Sequence, residues 1–304
     1  MQSGRVSVDS YLRRWHLTPD GAAICTPGSD LQPVVWQGRP AMLKVARSAE
    51  EQRGNDLMVW LEGEGAARVY RHEGWPRCCW KWLESAPDLA ALALAGQDDA
   101  ATRILCSAGA GVHRERPGRP PDLPDLRRWF RSLEAAQTQG GAFAQAWAAA
   151  QPLLADPQDV RPLHGDLDHG NVLRSPERGW LVIDPKGLIG ERTFDFANLL
   201  CNPTPEHALT PERLERQSAL IAREAGLDRA RLLAWVEAYA ALSAAWHLED
   251  AQMEQARQSL AVSALAHSLR LCHPPSAISL PLSARRPPSH PCVRCRIISV
   301  WVPP

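Results

Sequence analysis

An α+β chain of two lobes is predicted, with a small antiparallel-sheet N-lobe over residues 1–84 and a larger helical C-lobe over residues 85–271. Three observations predict it. Short apolar runs parted by Pro- and Gly-containing turns occupy Ala22 to Tyr70, the punctuation of hairpins. From Asp88 to Leu271, capped segments with apolar residues at helical spacing dominate. Between those helices, the polar stretch His164-Gly165-Asp166-Leu167-Asp168-His169-Gly170-Asn171 is followed by Leu181-Val182-Ile183-Asp184, a buried strand ending on a carboxylate.

Composition supports a packed enzyme-sized chain. The 304 residues are 45% hydrophobic, which excludes wholesale disorder. Basic and acidic side chains balance at 34 each, so no nucleic-acid or membrane surface is announced. Met1 to Ser10 carries Arg5 and Asp9 and lacks the apolar core of a secretory signal. Gly141 to Ala155 is too short to span a bilayer and is interrupted by Gln145, Gln151 and Pro152. A cytoplasmic protein is expected, with its eight Cys as reduced thiols.

In the N-lobe, Tyr11 to Trp15 forms an amphipathic start. Ala22 to Cys25 and Pro33 to Trp36 flank the turn cluster Thr26-Pro27-Gly28-Ser29-Asp30-Leu31, which suits a hairpin. A third strand, Ala41 to Ala46, contains one charge, Lys44. A lone strand Lys often snorkels to solvent. A helix opens near Ser48 with Glu50 and Glu51, and Ala66 to Tyr70 reads as a further strand. Trp75-Pro76-Arg77-Cys78-Cys79-Trp80-Lys81-Trp82 follows, where its Trp and Cys density is unusual and Pro76 argues against a central strand. Back-translated with G/C-rich codons and read one nucleotide earlier, this stretch becomes approximately Leu-Ala-Ala-Leu-Leu-Leu-Glu-Val-Ala. A local reading-frame change is therefore one account of it, which the nucleotide sequence checks.

In the C-lobe, Asp88 caps Leu89 to Leu94, and Asp98-Asp99 opens a helix toward His113 with acids at the favourable end of its dipole. Helices are expected over Asp125–Gln137 and Ala142–Leu154, parted by Gly140-Gly141. Thr210-Pro211-Glu212 starts another, which Gly226 stops. Asp228 caps the next, whose Leu232, Leu233, Val236, Tyr239 and Ala240 recur at helical spacing. Trp235 and Trp246 read as core. A last helix spans Met253 to Leu271. From Cys272 to Pro304 the chain is Pro-rich, with little core-forming pattern, and is expected to be disordered.

Asp166, Asn171 and Asp184 carry the chemistry. The spacing H-x-D-x-x-x-x-N followed by an apolar-Asp turn is the catalytic-loop pattern of kinases. Phosphoryl transfer needs one carboxylate to accept the substrate hydroxyl proton, and a second carboxylate with an amide to hold Mg²⁺ on the nucleotide phosphates. In such a hairpin Lys44 would pair the α/β-phosphates of the nucleotide, with Glu51 preferred over Glu50 as its partner. Gly28 and Ser29, within the Thr26–Asp30 turn, would roof the triphosphate, since no G-x-x-x-x-G-K-[ST] loop occurs.

These residues resemble the aminoglycoside phosphotransferase family, in the branch of streptomycin 6-kinases grouped with hydroxyurea phosphotransferases. The resemblance rests on Pro40 to Arg47, Gly63-x-Gly65-Ala66-Ala67-Arg68-Val69, Gly96-Gln97-Asp98-Asp99, Leu163 to Leu167 and Trp180 to Asp195. It implies a protein kinase-like bilobal fold, ATP with Mg²⁺, and inactivation of streptomycin by transfer of the γ-phosphoryl to a streptidine hydroxyl (O6). Carried over, Asp166 is the base, Asn171 and Asp184 are Mg²⁺ ligands, Lys44 binds phosphate, and Asp195 positions the catalytic loop beside the structural His164. The branch usually reads His-Gly-Asp-Leu-His-His-Glu-Asn, so Asp168 and Gly170 are departures. Streptomycin carries two guanidinium groups, and Asp168 and Glu191 are the candidate carboxylates for them. A kinase of another small hydroxylated compound such as hydroxyurea, or a catalytically impaired relative, are the alternatives.

Overall fold

The computed structural model describes residues 7–73, 77–81 and 88–272, with 77–81 described as backbone. The Pro-rich stretch from residue 273 lies outside these, as do Trp75, Pro76 and Trp82.

Helix α1 (Val8–Trp15) buries Tyr11 and Trp15 on one face and ends at His16 in the left-handed conformation. Strands β1 (Thr18–Pro19), β2 (Ile24–Cys25), β3 (Ser29–Trp36) and β4 (Arg39–Ala46) follow, then α2 (Ala49–Trp60), capped by the Ser48 hydroxyl. Strands β5 (Val69–Glu73) and β6 (Arg77–Lys81) complete an antiparallel sheet of order β1-β3-β4-β6-β5, with β2 beside β3. The hairpin around Thr26–Leu31 is as expected, although Ala22 and Ala23 stay outside its strand. The residues Arg77–Lys81 are a central strand, paired to both β4 and β5. The expected strand from Ala66 begins three residues later: Ala66 instead forms a parallel bridge to Val182.

The C-lobe runs α3 (Leu89–Leu92), α4 (Asp98–His113), α5 (Leu126–Trp129), α6 (Arg131–Ala136), α7 (Gly141–Ala155), β7 (Val160–Leu163), β8 (Val172–Ser175), β9 (Gly179–Val182), β10 (Leu188–Glu191), α8 (Thr193–Leu200), α9 (Pro205–Ala208), α10 (Pro211–Ala225), α11 (Arg229–Glu249) and α12 (Met253–Cys272). Its order confirms the protein kinase-like fold of small sheet lobe and larger helical lobe. The single helix expected over Asp125–Gln137 is broken at Phe130, whose ring packs edge-on against Phe194 and Trp235. Helix α11 is apolar around most of its circumference and sits at the centre of the lobe, as such a helix must. No helix among the described residues is long and apolar enough to cross a membrane.

Two cores divide the molecule unevenly. Tyr11, Trp15, Leu17, Val34, Ala41, Leu43 and Val45 form a small cluster behind the sheet. Leu57, Met58 and Leu61 of α2 belong to the large cluster of the C-lobe. Three close backbone approaches lock this arrangement. A Cβ on Gly54 would overlap the Pro185 carbonyl oxygen, one on Gly187 would lie 2.8 Å from the Arg53 oxygen, and one on Gly65 would lie 2.9 Å from Gly111. The Arg116 guanidinium adds bonds to the carbonyls of Glu64 (2.9 Å) and Gly111 (2.6 Å) and lies 5.4 Å from the Trp60 ring centre. Helix α2 is thus lodged in the C-lobe, while the sheet it follows has its own core.

Candidate active site

Strands β7 and β10 pair antiparallel, with Leu163 at the end of β7 opposite Leu188 at the start of β10, so the loop after β7 emerges beside the turn after β9. Asp195, at the start of α8, holds that loop. Its Oδ2 accepts from the His164 N–H (2.8 Å) and faces His113 Nε2 (2.7 Å), and its Oδ1 accepts from the Gly165 N–H (2.7 Å). A carboxylate meeting two successive backbone donors fixes the loop's path, as the positioning role expected of Asp195 requires. His164 is wholly buried. Its Nε2 lies 2.8 Å from the Ile183 carbonyl and its Nδ1 accepts from the Asp166 N–H at 3.2 Å, a pattern that requires the neutral ring protonated at Nε2. Burial lowers its pKa, in agreement. Both His164 and Asp195 are therefore scaffold.

Asp166 stands at the loop's open side, its side chain about a third exposed at 32%. Oδ1 accepts from Asn198 Nδ2 (3.1 Å); Oδ2 is 3.4 Å from Asn171 Nδ2 and 4.0 Å from Lys186 Nζ. Burial raises its pKa, Lys186 opposes that, and Asp184 adds to it. Asn171 also donates to the Asp166 carbonyl (2.8 Å). Its own carbonyl accepts from the Ile183 N–H (2.9 Å), which sets Asn171 beside Asp184. Asp184 has a left-handed backbone, φ +56°, that turns it off the end of β9. Asp168 accepts from the Gly170 and Asn171 N–H groups (2.8 and 2.9 Å) and so closes the loop on itself. Burial, reinforced by Asp166, pushes its pKa up to about 6. A Cβ at Gly170 would meet Asp168 Oδ1 at 3.5 Å, ordinary contact, so space does not demand glycine there.

Lys44 does not snorkel. It is 1% exposed, and its ammonium bonds both Glu51 and Asp184 across the cleft. Glu51, rather than Glu50, is its partner. Burial works to raise the Glu51 pKa, but Lys44, then Lys186 and the Ser29 hydroxyl, hold it below the usual carboxylate range. Gly28 and Ser29 sit over this pair. The Ser29 hydroxyl donates to Glu51 (2.9 Å), its N–H donates to Thr26 Oγ1 (3.0 Å), and a Cβ at Gly28 would fall 2.8 Å from Glu51 Cγ. The Ser29 hydroxyl, a donor expected to face phosphates, thus braces Glu51 instead, while Gly28 packs against the Glu51 stem.

Glu191 requires a correction. It is 1% exposed and accepts from Arg231 (2.6 and 2.7 Å), Trp235 Nε1 (3.0 Å) and the Gln158 N–H (3.1 Å). With both oxygens engaged inside the lobe, it has no free valence for a substrate cation. Trp235 is core, as expected, but Trp246 lines a cavity. Two cavities flank Asp166 and share it and Tyr239. One, about 370 Å³, is lined by Asp168, Asn202, Ser243, Gln255 and Gln258 among others. The second, about 450 Å³, has Trp129, Trp246, Glu249, Asp250, Glu50 and Lys186 in its wall.

Sequence reasoning missed Asn198, Lys186 and His113. The Asp195-x-x-Asn198 spacing on one helix was a usable signal for the first, because residues three apart share a face. Asn171 and Asp184 present hard oxygen donors, which suit a cation that keeps most of its shell for phosphate and water. Among the described residues no group of three or more His, Cys, Asp or Glu forms a closed metal cage.

A buried lysine–glutamate pair, an Asp beyond a strand end, and a second Asp on a loop pinned by an aspartate are the arrangement of a kinase-like phosphotransferase. The family model for the aminoglycoside/hydroxyurea antibiotic resistance kinases matches residues 14–251, and the chain belongs to that family. It is 44% identical over 265 residues to a streptomycin 3''-kinase of Klebsiella pneumoniae, covering 85% of this chain and 99% of the relative. It is 31% identical to a streptomycin 6-kinase of Streptomyces glaucescens (86% and 89% covered) and 28% identical to a hydroxyurea phosphotransferase of Kitasatospora aureofaciens (86% and 77%). Among solved structures, the aminoglycoside phosphotransferase APH(4)-Ia, in a ternary complex with AMP-PNP and hygromycin B, superposes with a TM-score of 0.63 at 16% identity, covering 86% of this chain and 99% of that one. A choline/ethanolamine kinase family protein from Mesorhizobium loti follows at 0.60 and 11%, covering 86% and 94%. At these identities the structures share the fold.

Proposed function

We propose that the protein is an ATP-dependent phosphotransferase that inactivates streptomycin by phosphorylating the streptidine O6. The observation that carries the phosphoryl-transfer part of this reading is the convergence on Asp166, and its streptomycin part leans on the relatives named above. On its one side lie Asn171, Asp184 and the Lys44–Glu51 pair; on its other lie two cavities that both open onto its carboxylate. Asp166 Oδ2 receives the proton of the attacking hydroxyl while Asn198 holds Oδ1. Lys44 binds the α/β-phosphates and Glu51 keeps it in place. Mg²⁺, held by Asn171 and Asp184, would supply charge neutralisation on the phosphate oxygens. Asp168 stays a guanidinium candidate in its cavity, and Glu249 and Asp250 take the place of Glu191, sharing the other cavity with Trp129 and Trp246, whose faces also favour planar cations. Asn202, Gln255 and Gln258 suit the sugar hydroxyls.

A second regiochemistry, the 3''-hydroxyl, is favoured by the name of the relative at 44% identity. Purified protein incubated with ATP, Mg²⁺ and a panel of streptomycin, kanamycin and hydroxyurea decides the acceptor. Phosphate on streptomycin but not kanamycin is expected. Two-dimensional NMR of the product places the phosphate, and a 3'' product would replace the O6 assignment. Turnover of hydroxyurea alone would move the function to that acceptor, and no turnover with any would mark an impaired relative.

A further inference from the structure

We infer that Lys186 is a second phosphate-binding lysine, contacting the γ-phosphoryl group during transfer while Lys44 serves the α/β side. The inference rests on the phosphotransferase reading above. In the reaction, the acceptor oxygen forms a bond to Pγ as the bond from Pγ to the β-bridging oxygen breaks. The bonding pair leaves on the nucleoside diphosphate, and the hydroxyl proton goes to Asp166. Throughout, negative charge is spread over three phosphoryl oxygens.

The catalytic loop brings little to offset it. His164 to Asn171 contains no Lys or Arg, two Asp, and a His164 held neutral by its hydrogen bonds. Lys44 is engaged one layer deeper by Glu51 and Asp184. Lys186 supplies the cation from a different segment, the turn after β9, anchored by its N–H to the His164 carbonyl at 2.7 Å. Its Nζ lies 4.0 Å from Asp166 Oδ2, 3.6 Å from Glu50 Oε1 and 3.7 Å from Glu51 Oε1. These separations exceed a charge-assisted hydrogen bond, so the ammonium is attracted to three carboxylates and clamped by none. Its side chain is 23% exposed and lines the cavity that contains Asp166. The result is an alternating chain, Asp184–Lys44–Glu51–Lys186–Asp166, with a lysine at each of two depths of the cleft. A solvated surface lysine would not sit between the nucleotide-side glutamate and the base.

Steady-state kinetics of Lys186→Met and Lys186→Arg test this, with slow ATP hydrolysis to water measured beside acceptor phosphorylation. Wild-type turnover of an acceptor tests the phosphotransferase reading itself, and hydrolysis lets the lysine be judged if every acceptor fails. Removal of a charge that stabilises the transferring group lowers kcat about 10²–10³-fold. For Lys186→Met we expect a loss of that size in both reactions, ATP KM within about threefold, and an unchanged melting temperature. Lys186→Arg should recover at least about tenfold of the loss, since guanidinium still donates to phosphate. A Met variant within about threefold of wild-type kcat would overturn the inference, as would a folded Arg variant no better than Met or a loss appearing only in KM; the threefold margin is well below the effect of removing one such donor.

Discussion

Around Glu191, Arg231, Trp235 and Gln158 converge on one carboxylate and close it off from solvent. Around Asp166, the neighbouring side chains touch the carboxylate at 3.1 Å or more, and its remaining face opens on two cavities. Both acids lie on the segment between β7 and α8, and both face cations. A structural carboxylate has each oxygen met by a donor at hydrogen-bond distance. A chemical one is held by enough partners to aim it and too few to satisfy it. Asp195 follows the first pattern, and Asp184, the proposed Mg²⁺ ligand, follows the second.

The difference can be broken from either side. Asp166→Asn should lower kcat about 10²–10⁴-fold, the span of general-base catalysis, with little change in melting temperature. Steady-state kinetics beside thermal denaturation separates the two. Glu191→Ala should do the reverse, costing about 3–5 kcal/mol of stability because Arg231 and Trp235 keep buried donors without an acceptor. Urea denaturation gives that figure, and a raised acceptor KM in the folded fraction would return Glu191 to the substrate. Gly54→Ala tests the frame that holds Glu51. The methyl meets the Pro185 carbonyl, so about 3 kcal/mol of overpacking is expected, together with lower activity as α2 is pushed from the C-lobe.

The smallest effect concerns His169 on the same loop, 3% exposed, with neither ring nitrogen partnered by protein. Burial, then Arg213, holds its pKa down at about 4. Between that value and its ordinary 6.5 the unfolded chain binds a proton that the folded chain does not. Stability is then complete above the upper value and is lost as the pH falls, by on the order of 1 kcal/mol at pH 5.5. Melting curves of wild type and His169→Asn from pH 7.5 to 4.5 check this: the wild type should fall more steeply, and parallel curves would refute it.

What could be read from the sequence was the grouping of residues with local spacing. His164, Asp166, Asn171 and Asp184 lie on one loop and one hairpin, so their separation along the chain is nearly their separation in space. Lys44 and Glu51 were legible because one strand and one helix connect them. Glu191 was misread because its fate depends on Arg231, forty residues later on a helix whose charged face is invisible to periodicity. Lys186 was overlooked because a lysine after Asp-Pro in a turn looks solvated until α2 is known to approach it. Ser29 was expected to turn its hydroxyl toward phosphates, and the sequence does not reveal that Glu51 rises to meet that hydroxyl. The central strand Arg77–Lys81 was doubted from Pro76 and its composition, yet pairing on both sides prevailed over propensity.

The lodging of α2 in the C-lobe core has a bearing on how this molecule can change over generations. Gly54, Gly187 and Gly65 interlock backbone with backbone, so the Lys44–Glu51 pair is positioned by contacts that tolerate almost no side-chain variation. The walls of the two cavities combine residues of α11, α12 and the turn between them with Trp129 and Arg131 in one and Asn198 to Pro205 in the other, and they meet the Lys44–Glu51 side only through Glu50 and Lys186. If the cavities hold the acceptor as proposed, substitutions at Trp246, Glu249, Asp250, Gln255 or Gln258 would alter its site without touching the glycine contacts that seat α2. On that reading, the part that seats the Lys44–Glu51 pair is far less free to vary than the part that meets the acceptor.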